Sequence, residues 1–157
     1  MTYLINKHKD FIAEMLNHQV GFVLIGGYAV IYHGYVRTTG DLDIWLQPGD
    51  ENKERFLGLL TKLGYSKDGI NRLRNSNFSE ALAFHIGKPP ERIDFLTQIS
   101  GVRYEEALQD LSYMVEGNLK IPVISYKNLI LNKMLSSRMK DQADVEELSK
   151  IKMKKSS

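Results

Sequence analysis

No cysteine occurs among the 157 residues of the sequence. Disulfide bonds and thiolate-bound zinc are therefore excluded, and the composition does not require an oxidising compartment. The sequence also lacks an apolar run long enough to span a bilayer. Its first residues, MTYLINKHKDFIAEML, scatter charges where a secretory signal would carry an apolar block. We therefore expect a cytoplasmic protein without a membrane partner.

A strong excess of one charge is also missing. The formal net charge is +2, from 21 Lys and Arg against 19 Asp and Glu. Much of the excess lies at the end of the chain, in Lys150, Lys152, Lys154 and Lys155. The balanced body gives no indication of a dedicated nucleic-acid binder. We expect one domain over residues 1–157, with a disordered basic tail over about 150–157.

Hydrophobic periodicity predicts alternating helices and strands. The predicted helices cover about residues 3–17, 27–34, 51–63, 102–111, 126–135 and 140–151. The predicted strands cover 22–25, 41–46, a segment beginning at Tyr65, 81–86 and 92–96, and the last two form a hairpin. The polar segment 68–80 has no assignment. This order predicts an α+β (mixed α/β) fold, with a small mixed sheet flanked by helices and C-terminal helices packed on the same domain.

Two aspartates lie on one face of the predicted strand 41–46. Asp41 and Asp43 are two residues apart, so both side chains leave the side opposite to the apolar residues between them. Adjacent carboxylates repel each other unless a cation lies between them, and oxygen ligands suit Mg²⁺. Asp94, in the middle of another predicted strand, is the candidate for a third carboxylate in a two-metal centre. The alternative is three solvent-facing acids; for the pair we favour a functional site.

A pair of glycines, Gly26 and Gly27, separates the predicted strand 22–25 from the next helix. Without Cβ atoms the backbone can approach a ligand closely, and N–H groups at a helix start can bind an anion. The alternative is a tight turn that needs positive φ. A lone glycine pair is weak support, but the acidic strand would be its neighbour if sequential strands pair.

A wider pattern joins these two features. It runs Gly26-Gly27-Tyr28-Ala29, Gly34, and Arg37-Thr38-Thr39-Gly40-Asp41-Leu42-Asp43-Ile44. The pattern resembles the GGxA…G…RxTxDhDh signature of the nucleotidyltransferase superfamily, which has the DNA polymerase β-like fold. The C-terminal run from Ile121 to Val145 is similar to small bacterial members, namely the lincosamide-type antibiotic nucleotidyltransferases and the toxin-like nucleotidyltransferases. The resemblance covers about residues 10–150 and implies the nucleotidyltransferase fold.

The resemblance also implies an activity. A nucleoside monophosphate would move from a nucleoside triphosphate to a hydroxyl of a small molecule, RNA or protein, with release of pyrophosphate. Two Mg²⁺ ions would be held by Asp41, Asp43 and Asp94, and Asp94 would help to deprotonate the acceptor. Gly26 and Gly27 would hold the phosphates. We favour a small-molecule acceptor over a nucleic acid because the chain is short and nearly neutral; a dimer is compatible with the sequence.

Four further side chains are candidates for nucleotide binding. Arg37 and Thr39 precede the acidic strand, where a phosphate contact and a purely structural role, as a salt bridge or a turn, have equal weight. Lys133 and Lys140 lie on or beside the C-terminal helices, where solvated lysines are commoner than ligands. For His85, on the strand next to the third carboxylate, a structural role is favoured over an acceptor contact.

Three other polar or aromatic residues are expected to serve the fold. Trp45 should pack under a helix rather than stack on a base, and Asp141 and Asp144 should be first-turn helix acids. Two other functions stay open on the same fold. One is a toxin-type nucleotidyltransferase of a toxin–antitoxin or phage-defence system that acts on tRNA or protein, and the other is a non-catalytic nucleotide-binding module.

Overall fold

The computed structural model describes residues 4–136 and 138–156. Helices and strands alternate along most of this part of the chain. Their order is α1 (Asn6–Asn17), β1 (Phe22–Ile25), α2 (Gly26–Tyr32), β2 (Leu42–Leu46), α3 (Asp50–Lys62), α4 (Lys67–Arg74), β3 (Ala83–Ile86), β4 (Ile93–Leu96), α5 (Tyr104–Leu108), β5 (Leu111–Glu116), β6 (Leu119–Ile124), α6 (Tyr126–Met134) and α7 (Met139–Ser156).

The strands form a six-stranded sheet in the order β3-β4-β2-β1-β6-β5. Strand β1 runs antiparallel to β2 and parallel to β6, and β2 runs parallel to β4. The edge strands β3 and β5 pair antiparallel with β4 and β6. The C-terminal helices pack on this sheet, since Leu129 of α6 and Leu148 of α7 both lie in the core. The predicted α+β fold with a small mixed sheet is therefore confirmed.

An aromatic cluster holds β4 against the helices on one side of the sheet. Phe95 lies 5.1 Å from Phe56 of α3 and stacks on Phe84 of β3, also at 5.1 Å between ring centroids. Phe95 is completely buried. Because side chains alternate along a strand, this packing directs Asp94 to the opposite face of the sheet. The core therefore decides which way the third predicted carboxylate points.

Local signals set several element boundaries where they were predicted. Strand β1 occupies the predicted residues, and all four of its side chains are buried. Ser125 caps α6, because its hydroxyl accepts a hydrogen bond from the Asn128 N–H at 3.1 Å. Helix α1 begins at Asn6, three residues after the start of the predicted helix 3–17, whose residue 3 lies outside the described residues. No helix in the described part of the chain is long and apolar enough to cross a bilayer.

Other predicted elements are wrong. Tyr65 does not begin a strand, because Ser66 accepts a hydrogen bond from Gly69 N–H and starts helix α4, which extends into the unassigned polar segment. The predicted helix 102–111 shortens to α5. The hairpin of β5 and β6 was not predicted. Pro122 lies within β6, and proline is so disfavoured in strands that the sequence signal there is weak.

Helix α7 is longer than the predicted helix 140–151. It continues to Ser156, which replaces the predicted disorder of residues 150–156 by helix. Lys150 lies 3.4 Å from Glu147 and 3.5 Å from Glu146, spacings that support a helix. Lys152 lies over the ring of Tyr126, 4.6 Å from its centroid. Contacts along and beside the helix therefore organise a segment whose composition resembles a frayed tail.

Candidate active site

Asp43 and Asp94 lie side by side in the sheet. They are register partners on the parallel strands β2 and β4, and paired positions of neighbouring strands present their side chains on the same face. Asp41 lies two residues before Asp43, just ahead of β2. All three line one cavity of about 780 Å³. The tertiary structure thus brings together the three carboxylates that the sequence pattern singled out.

The environment of Asp43 disfavours its charged form. Burial raises the pKa of its carboxyl group, and the negative charges of Asp94 and Asp41 raise it further, to about 6. The positive charges of Lys140 and Lys133 oppose this rise without cancelling it. The wall of the cavity at these strands therefore carries an excess of negative charge, which a bound cation would relieve.

The glycine pair is required where β1 turns into α2. Gly26 has a φ of +70°, in the left-handed region that favours glycine. A Cβ atom on Gly26 would overlap the carboxylate of Asp43, and one on Gly27 would overlap the hydroxyl of Thr39. Both glycines line the cavity. The tight turn with positive φ, which was the alternative to a ligand site, is present. The same turn also places backbone without side chains at the cavity wall.

Two predicted nucleotide-binding cations are held by carboxylates of α7. Arg37 Nε and Nη2 donate to Oδ1 and Oδ2 of Asp144 at 2.9 and 3.0 Å. Lys133 Nζ donates to Asp141 Oδ1 at 2.7 Å and lies 3.0 Å from Asp144 Oδ2. We call these four residues the buried ion cluster. It joins the segment before β2 to helices α6 and α7.

The buried ion cluster corrects the expectations for its members. Lys133 is only 4% exposed and is not a solvated helix lysine. Asp144 is buried and lies beyond the first turn of α7, whereas Asp141 is in that turn but is also buried. Arg37 makes the salt bridge that was one of its two predicted roles. Sequence periodicity could not show this, because each charge of the cluster is neutralised by a partner on another element.

The pKa of Asp141 is shifted in the opposite direction to that of Asp43. Burial by itself would raise the pKa of its carboxyl group, but hydrogen bonds from Lys133, Ser136 and Arg138 outweigh burial and lower this pKa to about 2. Its Oδ2 accepts from Ser136 Oγ at 2.6 Å and from Arg138 Nε at 2.8 Å. The charged form of Asp141 is therefore fully satisfied within the chain.

The other two predicted nucleotide-binding residues, Thr39 and Lys140, also line the cavity. The charge of Lys140 acts on Asp43, and the side chain of Thr39 lies against Gly27. The cavity also has a neutral portion of its lining, formed by Leu96, Gln98, Ile99, Ser100, Asn132 and Leu135. Charged and neutral ligand groups would therefore find different surroundings in the same cavity.

Arg92 is a residue of the site that was not predicted. Its Nη2 and Nε donate to Oδ1 of Asp94 at 2.9 and 3.1 Å. Its Nε also lies 3.8 Å from Oδ2 of Asp41. The spacing of Arg92 and Asp94, two residues apart in an extended segment, was the available signal, because it places both side chains on one face.

The donor set fits Mg²⁺ in its chemistry. Three carboxylates supply the hard oxygen ligands that Mg²⁺ prefers, and the raised pKa of Asp43 marks the uncompensated charge. No group of three His, Cys, Asp or Glu side chains in the described ranges converges closely enough to hold an ion by itself. Mg²⁺ commonly takes only one or two carboxylates and completes its shell with waters and substrate phosphates. The site therefore suits an ion that arrives with a phosphate ligand.

Trp45 and His85 lie outside the cluster of charges. Trp45 is 1% exposed, donates from Nε1 to the Thr97 carbonyl at 3.1 Å, and meets Tyr104 of α5 edge to face at 5.1 Å. Its expected packing under a helix is confirmed.

His85 is exposed on β3 and is the register partner of Asp94. Register alone does not decide between its two predicted roles.

Comparison with known proteins gives information on the fold. No protein-family model and no curated protein sequence matches the chain. Among solved structures, the chain is similar to the lincosamide antibiotic adenylyltransferase LnuA in its lincomycin-bound crystal structure, with a TM-score of 0.54 and 18% sequence identity. The match covers 94% of this chain and 98% of that one. The chain therefore has a nucleotidyltransferase-like fold, as its sequence pattern predicted.

Proposed function

We propose that the protein is a nucleotidyltransferase. It transfers a nucleoside monophosphate from a nucleoside triphosphate to a hydroxyl acceptor and releases pyrophosphate. The observation that carries this proposal is the meeting of Asp41, Asp43 and Asp94 on one wall of a cavity that cationic side chains also line, within a nucleotidyltransferase-like fold. Fold alone would not be sufficient, because one fold supports many activities.

In this proposal the carboxylates divide the work. Asp41, Asp43 and Asp94 would hold Mg²⁺ together with phosphate oxygens of the substrate, and the bound ion would neutralise charge on the phosphates. Asp94 accepts the proton of the acceptor hydroxyl as the hydroxyl oxygen attacks the α-phosphorus. The bond from that phosphorus to the oxygen bridging to the β-phosphate breaks, and its electron pair leaves with pyrophosphate. Such transfer depends mainly on positioning and charge stabilisation.

The cationic and glycine side of the cavity is assigned to the triphosphate. Lys140 provides a positive charge at the cavity wall. Arg37 and Lys133 also line the cavity, as members of the buried ion cluster whose charges Asp144 and Asp141 already pair. The backbone of Gly26 and Gly27 allows phosphate oxygens to approach closely. These groups hold the leaving pyrophosphate in place while the acceptor attacks, which favours reaction by orientation.

We assign the acceptor to the neutral portion of the cavity. Leu96, Ile99 and Leu135 offer apolar surface there, and Ser100 and Asn132 offer polar groups. Such a mixture suits an uncharged small molecule that carries a hydroxyl better than it suits a polyanion. The similar structure, LnuA, has the antibiotic lincomycin bound, which agrees with a small-molecule acceptor.

Nucleotide binding is the first test. Thermal unfolding is followed with Mg²⁺ and each of ATP, GTP, CTP and UTP, for the wild type and for Asp41→Asn/Asp43→Asn. We expect Mg²⁺-dependent stabilisation by at least one triphosphate in the wild type and its loss in the double variant. The matched control is Asp68→Asn, which changes an exposed acid of α4 and should bind as the wild type does.

Turnover is the second test. The triphosphate that stabilises the protein is incubated with a panel of small hydroxyl compounds, and released pyrophosphate is measured. Asp94→Asn should keep nucleotide binding and lose pyrophosphate release. Stabilisation by no triphosphate, in the presence or absence of the compounds, contradicts the proposal. Binding without turnover for any acceptor, RNA included, would identify a non-catalytic nucleotide-binding module.

A further inference from the structure

Asp41, Asp43 and Asp94 form the acidic wall of the cavity. Arg92 is a cation within the chain that contacts this acidic wall. The guanidinium makes hydrogen bonds of 2.9 and 3.1 Å to Asp94 and lies within 3.8 Å of Asp41. It thus contacts two of the three carboxylates assigned to Mg²⁺. Its hydrogen bonds to Asp94 are charge-assisted, which makes them stronger than neutral ones.

The backbone of Arg92 is fixed, whereas its side chain is not buried. The Arg92 carbonyl accepts from the Leu42 N–H at 3.1 Å and from Nε2 of the fully buried His8 at 3.2 Å. The Arg92 side chain is 35% exposed. The guanidinium can therefore leave Asp94 by rotation about its side-chain bonds, without movement of the strand that carries Asp94.

The pairing by Arg92 is unequal among the carboxylates. Its Nη2 donates to Asp94 at 2.9 Å, whereas its Nε lies 3.8 Å from the carboxylate of Asp41. A positive side chain on Asp94 and a positive metal ion on the same carboxylate repel each other. The Arg92 guanidinium and the metal ion therefore cannot both bind Asp94 fully, and binding of one weakens binding of the other.

We propose that Arg92 is a positioning residue that competes with the metal ion for Asp94. In the absence of nucleotide, its guanidinium neutralises Asp94 and weakens the binding of a free metal ion. A metal ion that arrives with a triphosphate brings phosphate oxygens that can accept hydrogen bonds from the released guanidinium, so it displaces Arg92 more easily than the free ion does. Arg92 thus makes metal binding depend on nucleotide. This inference rests on the proposed function, because it presumes that the carboxylates bind a metal.

The test is a titration with Mn²⁺ alone, with free ion followed by its electron paramagnetic resonance signal. We expect Arg92→Gln to bind Mn²⁺ more tightly than the wild type, on the order of tenfold. Arg92→Lys, which retains the charge, should stay close to the wild type. The matched control is Arg74→Gln, an equal change at an exposed arginine paired with Glu54 at 3.2 Å, and its affinity should not change.

A double-variant cycle separates competition for Asp94 from a general effect of charge. In an Asp94→Asn background, Arg92→Gln should no longer raise the affinity for Mn²⁺. An increase that persists there, or an unchanged affinity in Arg92→Gln that melts like the wild type, overturns the inference while leaving the proposed function intact. Failure of every variant, the wild type included, to bind Mn²⁺ with or without a triphosphate overturns both. Near-ultraviolet circular dichroism checks that each variant is folded.

Discussion

The acidic wall and the buried ion cluster face one cavity, but the carboxyl pKa values in the two regions are shifted in opposite directions. Asp43 on the acidic wall has its pKa raised to about 6 by burial and by two neighbouring carboxylates. Asp141 in the ion cluster has its pKa lowered to about 2, because hydrogen bonds outweigh its burial. On the acidic wall, Arg92 contacts Asp94 and approaches Asp41 but leaves the charge of Asp43 uncompensated, whereas the ion cluster is completed by the chain itself. Burial alone therefore does not distinguish a ligand site from a structural one; the partners do.

This difference explains how one cavity can be stabilised by the fold and still be able to bind a ligand. The ion cluster ties α6 and α7 to the segment before β2 through Arg37, Lys133, Asp141 and Asp144. The acidic wall, by contrast, keeps mutual repulsion that a ligand can relieve. Unfavourable interactions of this kind are common at functional sites, and the stability of the rest of the fold offsets their cost.

Removal of Asp144 should have the largest effect on stability. Asp144→Ala leaves Arg37 without its bidentate partner and Lys133 with only one of two carboxylates. Lys133 and Asp144 are buried, and the Arg37 side chain is 13% exposed. Breaking a buried pair in this way destabilises a protein by about 3–5 kcal/mol. Urea denaturation measures the change, with Asp68→Ala as the exposed control. A loss below about 1 kcal/mol would show that the cluster is not a structural unit.

Removal of the Asp43 charge should act in the opposite direction. Its pKa is about 6 in the folded chain and near 3.8 when unperturbed, so the folded state holds a proton that the unfolded state releases between these values. Stability therefore falls as pH rises from about 4 to 6. Asp43→Asn should be more stable than the wild type at pH 7 by about 1–3 kcal/mol in a chelating buffer, and this gain should vanish near pH 4.

The pH dependence of unfolding checks the same point against Asp141. Since the pKa of Asp141 is lowered, its contribution to stability is present above about pH 4 and is lost as pH falls toward 2. Denaturation of Asp141→Asn and Asp43→Asn across about pH 2–8 should give difference curves of opposite slope, each in its own window. Parallel curves for the two variants would remove the contrast between the regions.

Two glycine substitutions should have effects of opposite sign, and the second should have the smallest effect of all the variants. Gly26→Ala forces a Cβ atom into the Asp43 carboxylate at a φ of +70° and should destabilise the chain by about 1–3 kcal/mol. Gly58→Ala, inside α3 with open space around it, should stabilise by about 0.5–1 kcal/mol. Thermal unfolding measures both. Equal effects would mean that the turn adapts to a side chain.

Residues close in the sequence determined much of this fold. The apolar run of β1, the glycine turn after it and the Ser125 cap of α6 each rest on interactions within a few residues. Such signals can be recognised without knowing the rest of the chain, because their physical cause is local. The pattern from Gly26 to Ile44 was also sufficient to predict a nucleotidyltransferase fold.

The tertiary structure alone decided which charges meet. Parallel pairing of β2 with β4 sets Asp43 beside Asp94, although 51 positions separate them along the chain (94 − 43). The salt bridge from Arg37 to Asp144 joins residues 107 positions apart. No local rule encodes such pairs, since the free energy of a buried charge depends on a partner that only folding brings close. The sequence by itself therefore determined the carboxylates and the turn, and the packed fold decided which of its charges are satisfied and which await a ligand.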